Sequence, residues 1–134
     1  KEYRRQRQMC IRDRMGHSLA AGFIDLEWEW AFVGLLDMPF IMPTTLTQLQ
    51  QFARTTDQRI LRPRLITGSP TENTPPHGHP LGFHHSLFAE LRKITGDEGA
   101  RSVLQAHANW IEDVALTDTG IVRDIDHPKD VSLA

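Results

Sequence analysis

Cysteine is all but absent: Cys10 is the single thiol in 134 residues. One sulfur cannot close an internal disulfide, so a stapled secreted scaffold is excluded. No uninterrupted apolar run approaches the roughly 18 residues that a spanning helix requires. Basic excess is missing too. Fifteen Lys and Arg stand against 17 Asp and Glu, net −2, which disfavours a nucleic-acid backbone as partner. Neither internal repeats nor low-complexity tracts occur. The 40% hydrophobic and 24% charged content is ordinary for a globular protein. The expectation is one domain, or a piece of one, in the cytoplasm, with no membrane partner.

What charge there is lies unevenly. Residues 1–14 hold six bases against Glu2 and Asp13, net +4, and the other 120 residues are net −6. All seven His and all eight Pro fall in that acidic body. A basic arm of this kind reads either as a tail for an anionic partner or as a segment of different origin. Met9-Cys10-Ile11-Arg12-Asp13-Arg14 resembles the translation of a transposon end used in sequencing libraries. Residues 1–14 are therefore expected to be a non-native prefix, with the domain's C-terminal part occupying 15–134.

Within that body, helical and extended patterns alternate, which predicts an α/β fold. Ser18 reads as the N-cap of a helix over Leu19–Leu26. Ala31–Leu36 reads as a strand buried on both faces, and Pro43-Thr44 opens a helix with Leu46, Leu49 and Phe52 on its apolar side. Arg59–Pro63 and Leu81–Phe83 read as strands, separated by a polar loop at 67–78. Leu87, Leu91 and Ile94 mark a helix. Asp97 caps another with Ala100, Val103, Leu104 and His107 on one face. Ile111–Leu116 and Gly120–Val122 read as late strands, and Pro128 opens a terminal helix.

The chemistry points to two acidic places. Asp37 directly follows a buried strand, in Leu35-Leu36-Asp37-Met38-Pro39, and ligands of open α/β sheets gather beyond the carboxyl ends of strands. Asp124-Ile125-Asp126-His127-Pro128-Lys129-Asp130 also follows a strand, and alternation puts Asp124 and Asp126 on one side if the segment stays extended. Carboxylates from two strand ends suit Mg²⁺, which takes oxygen ligands and keeps waters and phosphates. Equally, Asp37 can cap a turn, and the second cluster can serve a helix N-terminus.

Five segments in order resemble the C-terminal part of the molybdopterin-dinucleotide-forming nucleotidyltransferases, a family that includes molybdenum cofactor cytidylyltransferases and molybdopterin-guanine dinucleotide synthases. They are Gly16-His17-Ser18-Leu19-Ala20-Ala21-Gly22, Leu36-Asp37-Met38-Pro39, Gly78-His79-Pro80, Gly96-Asp97-Glu98-Gly99-Ala100-Arg101 and Asp124–Asp130. The resemblance implies a three-layer Rossmann-like sandwich, N-terminally truncated here, that transfers a nucleotidyl group. It further implies that Asp37 and Asp126 bind Mg²⁺ and are catalytic. Gly16, His17 and Ser18 would border the nucleotide, and Gly78, His79, Pro80 and Arg101 would shape the pterin side. The implied partners are a nucleoside triphosphate (CTP favoured), a molybdopterin-type cofactor, and a molybdoenzyme or its chaperone.

Two departures stand out. Leu36 occupies a position where relatives carry Gly or Ala. The family's glycine-rich triphosphate loop, with its Arg and Lys, does not occur in these residues. Leu19-Ala20-Ala21-Gly22 continues as Phe23-Ile24-Asp25 instead. Competing readings are guanylyl or sugar-phosphate nucleotidyl transfer, and a non-catalytic nucleotide- or pterin-binding domain. His77, His79, His84 and His85 suggest zinc, but structural zinc sites usually add Cys, so solvated side chains are expected. Trp28 and Trp30 alternate with Glu27 and Glu29, acids that repel phosphate, so packing is expected of them. His107 and Arg101 equally suit a helix edge.

Overall fold

The computed structural model describes residues 16, 18–66, 76–96 and 99–133, with only the backbone of 130, 132 and 133. His17, Asp97, Glu98, most of the polar loop and the basic prefix lie outside the described residues. The chain divides into two compact units, Lys1–Glu29 with His84–Asn109, and Trp30–Phe83 with Trp110–Ala134.

The second unit carries the sheet. Strands β1 (Trp30–Val33), β2 (Ile60–Leu65), β3 (Leu81–His84) and β4 (Ile111–Leu116) lie in the order β1-β3-β2-β4. β2 runs antiparallel to β3 and parallel to β4, in register from Ile60↔Ile111 to Leu65↔Leu116. A parallel pair needs a long crossover, and the 45 residues between β2 and β4 supply it. Alternation along β2 and β4 turns Leu61, Leu65, Val114 and Leu116 to one face, where they meet Leu49 and Ile121 in the core. The opposite face pairs Arg62 with Asp113 across the register, Nε to Oδ1 at 2.7 Å.

Helix α1 (Pro43–Thr55) begins with Pro43, whose missing N–H is harmless in the first turn. It buries Thr45 and Leu49, one turn apart, and Ala53 packs partly on the same core. Leu46 and Phe52, expected on that face, are 50% and 40% exposed. The helix is turned towards its Thr45–Leu49–Ala53 stripe.

Several local expectations are corrected here. β1 ends at Val33, three residues short of Leu36, and lies at one edge of the sheet, so it is not buried on both faces. Leu36 is fully exposed. Gly120–Val122 is not a strand but part of a 3-10 turn, Thr119–Val122, because the Asp118 side chain accepts the Gly120 N–H at 2.9 Å and caps it. Pro128–Leu133 is likewise 3-10.

In the first unit, residues 18–22 are helical, and Ser18 lies within that stretch instead of capping it. A 3-10 turn (His85–Leu87) leads into α2 (Phe88–Leu91), and α3 (Arg101–Ala106) follows. Leu87, Phe88, Leu91, Ile94 and Val103 are buried, with the Phe23 and Phe88 rings 5.0 Å apart. Among the described residues no helix is long and apolar enough to cross a membrane.

Candidate active site

Asp37 sits in a turn after β1, and Asp124 and Asp126 lie on the irregular stretch after the Thr119–Val122 turn. Three contacts hold these two segments together. The Ile125 N–H donates to the Asp37 carbonyl at 2.7 Å. The Arg123 guanidinium lies 4.0 Å over the Phe40 ring. Gly120 packs so closely on Phe40 that a Cβ there would stand 2.0 Å from the Phe40 carbonyl oxygen, so only glycine fits.

Asp118 secures the same junction. Its carboxylate accepts the Thr45 hydroxyl at 2.6 Å, the Met42 N–H at 2.8 Å and the Gly120 N–H at 2.9 Å. Burial opposes the charge, but these three donors outweigh it and hold the carboxyl below its usual value.

The result is a group of three exposed carboxylates. One oxygen each from Asp37, Asp124 and Asp126 lies within 4.8 Å of the others. Opposed ligands on Mg²⁺ at about 2.1 Å each are about 4.2 Å apart. Small side-chain rotations therefore let the trio meet around one hard divalent cation. The all-oxygen donor set fits such an ion, and its open side leaves room for waters or phosphate. Among the described residues it is the one group of three or more potential ligands so arranged. The family resemblance implies Asp37 and Asp126. Asp124, which sequence alternation pairs with Asp126, is the third member of the group.

His79 stands near this group. Its N–H donates to the Ile121 carbonyl at 2.8 Å. Burial pushes the imidazole below its ordinary value, against the opposing pull of Asp37. The burial favours the neutral imidazole. Gly78 is required by closeness, since a Cβ would come 2.3 Å from the Ile121 carbonyl oxygen, and Pro80 is buried beside it. Gly78, His79 and Pro80 thus share the second unit with the carboxylates. Gly16, Ser18 and Arg101 belong to the first. There Gly16 donates to the Gly96 carbonyl at 2.8 Å, while Ser18 and Arg101 are exposed.

The histidines find ordinary partners. His77 lies 3.4 Å from Asp113, His84 bonds Ser86 at 2.9 Å, and His107 pairs with Glu90 at 2.7 Å. Trp30 packs on the core, whereas Trp28 is 64% exposed.

Residues 4–110 match the MobA-like NTP transferase domain. The chain belongs to this family. Solved structures share the family's α/β nucleotidyltransferase fold with it. Rv0371c in complex with manganese, from Mycobacterium tuberculosis H37Rv, has a TM-score of 0.66 at 22% identity, covering 87% of this chain and 57% of that one. Another structure of Rv0371c from the same organism gives 0.62 at 21% identity, with 84% and 53% covered. A homologue from Mycobacterium sp. strain JC1 gives 0.65 at 19%, with 90% and 56% covered. This MobA-like chain thus spans a little over half the length of those structures. No curated protein matches it.

Proposed function

We propose that this MobA-like chain is part of a nucleotidyltransferase of molybdenum cofactor maturation that transfers CMP from CTP to the phosphate of a molybdopterin-type cofactor. A phosphate oxygen of the acceptor attacks the α-phosphorus, a new P–O bond forms, and the bond to the β-phosphate oxygen breaks to release pyrophosphate. Family membership supports the reaction class, and the order of the five motifs supports the acceptor. The observation that carries the reading is the convergence of Asp37, Asp124 and Asp126.

Asp37 and Asp126, with Asp124 beside them, would hold Mg²⁺ or a similar divalent cation, and a relative is described as a manganese complex. Bound there, such a cation supplies charge neutralisation on the transferring phosphoryl group. The chain's own part is alignment. The Ile125–Asp37 hydrogen bond ties together the two segments that carry the carboxylates. Gly78, His79, Pro80 and Arg101 are assigned to the pterin side, and Gly16, His17 and Ser18 to the nucleotide. Lacking the glycine-rich triphosphate loop, these residues alone are expected to be inactive.

The test is a Mn²⁺ titration of the chain followed by electron paramagnetic resonance. One site is expected, with affinity reduced at least tenfold in Asp37→Asn and in Asp126→Asn. Unchanged binding in both variants would remove the basis of the reading.

A further inference from the structure

Arg123 immediately precedes Asp124, and Phe40 follows Asp37 by three residues. The guanidinium is therefore carried on the same two segments that bring the carboxylates together. Its backbone is held as well, since the Arg123 N–H reaches the Gly120 carbonyl at 3.4 Å. With three carboxylates on these segments, Coulomb attraction alone would fold the side chain onto one of them. Instead the guanidinium carbon lies 4.0 Å over the Phe40 ring. Among the described residues it forms no ion pair with a carboxylate.

Contact with a ring face leaves a planar guanidinium's edge donors unused, in the fork geometry that matches two oxygens of one phosphate. A fixed cation beside a three-carboxylate group also answers an electrostatic need. A phosphorylated ligand approaching Asp37, Asp124 and Asp126 meets three negative charges, and one divalent ion cannot offset both these and the ligand's own.

We propose that Arg123, splinted on Phe40, grips a phosphate group of the anionic ligand at the edge of the carboxylate site. The assignment rests on reading Asp37, Asp124 and Asp126 as a cation site, and it adds a residue of this chain that contacts ligand. The ligand class is a polyphosphate or phosphomonoester, and the contact is with its oxygens, independent of any base or pterin.

Inorganic pyrophosphate is the probe, titrated into the full chain and followed by calorimetry and by ³¹P line broadening, with and without Mn²⁺. Arg123→Gln is expected to weaken pyrophosphate binding at least tenfold, a larger factor than any change in its Mn²⁺ affinity. Arg123→Lys recovers part of the loss, because it keeps the charge without the fork. Phe40→Leu, which removes the ring face but keeps an apolar side chain, weakens pyrophosphate binding less than Arg123→Gln. Pyrophosphate binding that is absent in the parent chain, or equal in Arg123→Gln, overturns the proposal. Failure of the cation reading looks different, since Mn²⁺ then fails to bind the parent chain. Even in that event, the metal-free titration of parent against Arg123→Gln decides whether Arg123 holds phosphate.

Discussion

At the scale of single residues, closeness matters more than side-chain chemistry at Gly120. A methyl group there meets the Phe40 carbonyl at 2.0 Å, and backbone cannot move aside as a flexible side chain can. Gly120→Ala is expected to cost about 1–3 kcal/mol, the usual range for overpacking. It is also expected to weaken Mn²⁺ binding, because the Phe40 segment carries Asp37. Urea unfolding and the Mn²⁺ titration check the two effects. This closeness left no trace in the sequence, where Gly120 reads as one more residue of a late strand. Asp37 was legible because an acid after a strand has a general geometric meaning, and Asp126 through the family resemblance of its segment. Asp124 was legible only as far as its neighbour's alternation reached. Arg123 and Phe40, 83 residues apart, carried no local signal at all.

At the scale of elements, Asp118 ties the start of α1 to the 3-10 turn that leads to the site. Its three donors include the hydroxyl of Thr45, which is 1% exposed. Replacing the charged acceptor by Asp118→Asn is expected to cost about 1–3 kcal/mol. The folded carboxyl titrates below its unfolded value of about 3.9. The stabilisation is therefore complete above about pH 4 and is lost as pH falls through the folded value. Melting temperature against pH should show a shallower acid limb in Asp118→Asn than in the parent. Element types were mostly readable from period and punctuation, as Pro43 and the β2 and β4 patterns show. Faces and ends were less so. Leu46 and Phe52 have helical spacing yet face solvent, because the sheet receives Thr45, Leu49 and Ala53. Asp118 converted an apparent strand into a turn through its side chain, which apolar pattern does not register.

At the scale of the whole molecule, apolar side chains lie open: Leu36 fully, Trp28 at 64%, Ile24 at 61% and Val131 at 56%. β1 and β4 are the outermost strands of the described sheet, and open strand edges invite pairing with another chain. The chain is expected to self-associate with rising concentration in sedimentation velocity, and Leu36→Asp to lower that tendency. A sharp, reversible, concentration-independent melt would oppose this. The α/β class was legible at this scale from alternation alone. The mixed strand order was not, because it depends on pairings between distant segments.

The 2.7 Å bond between Ile125 and Asp37 has a thermodynamic corollary. Asp37 and Asp126 are 89 positions apart, so an unfolded chain cannot chelate with both, while the folded one has already drawn them side by side. A divalent ion should therefore favour the native state by mass action, by about 2.7 kcal/mol at a hundredfold excess over Kd. Calorimetric scans with added Mn²⁺ should show the parent melting higher, and Asp126→Asn shifted by about half as much or less.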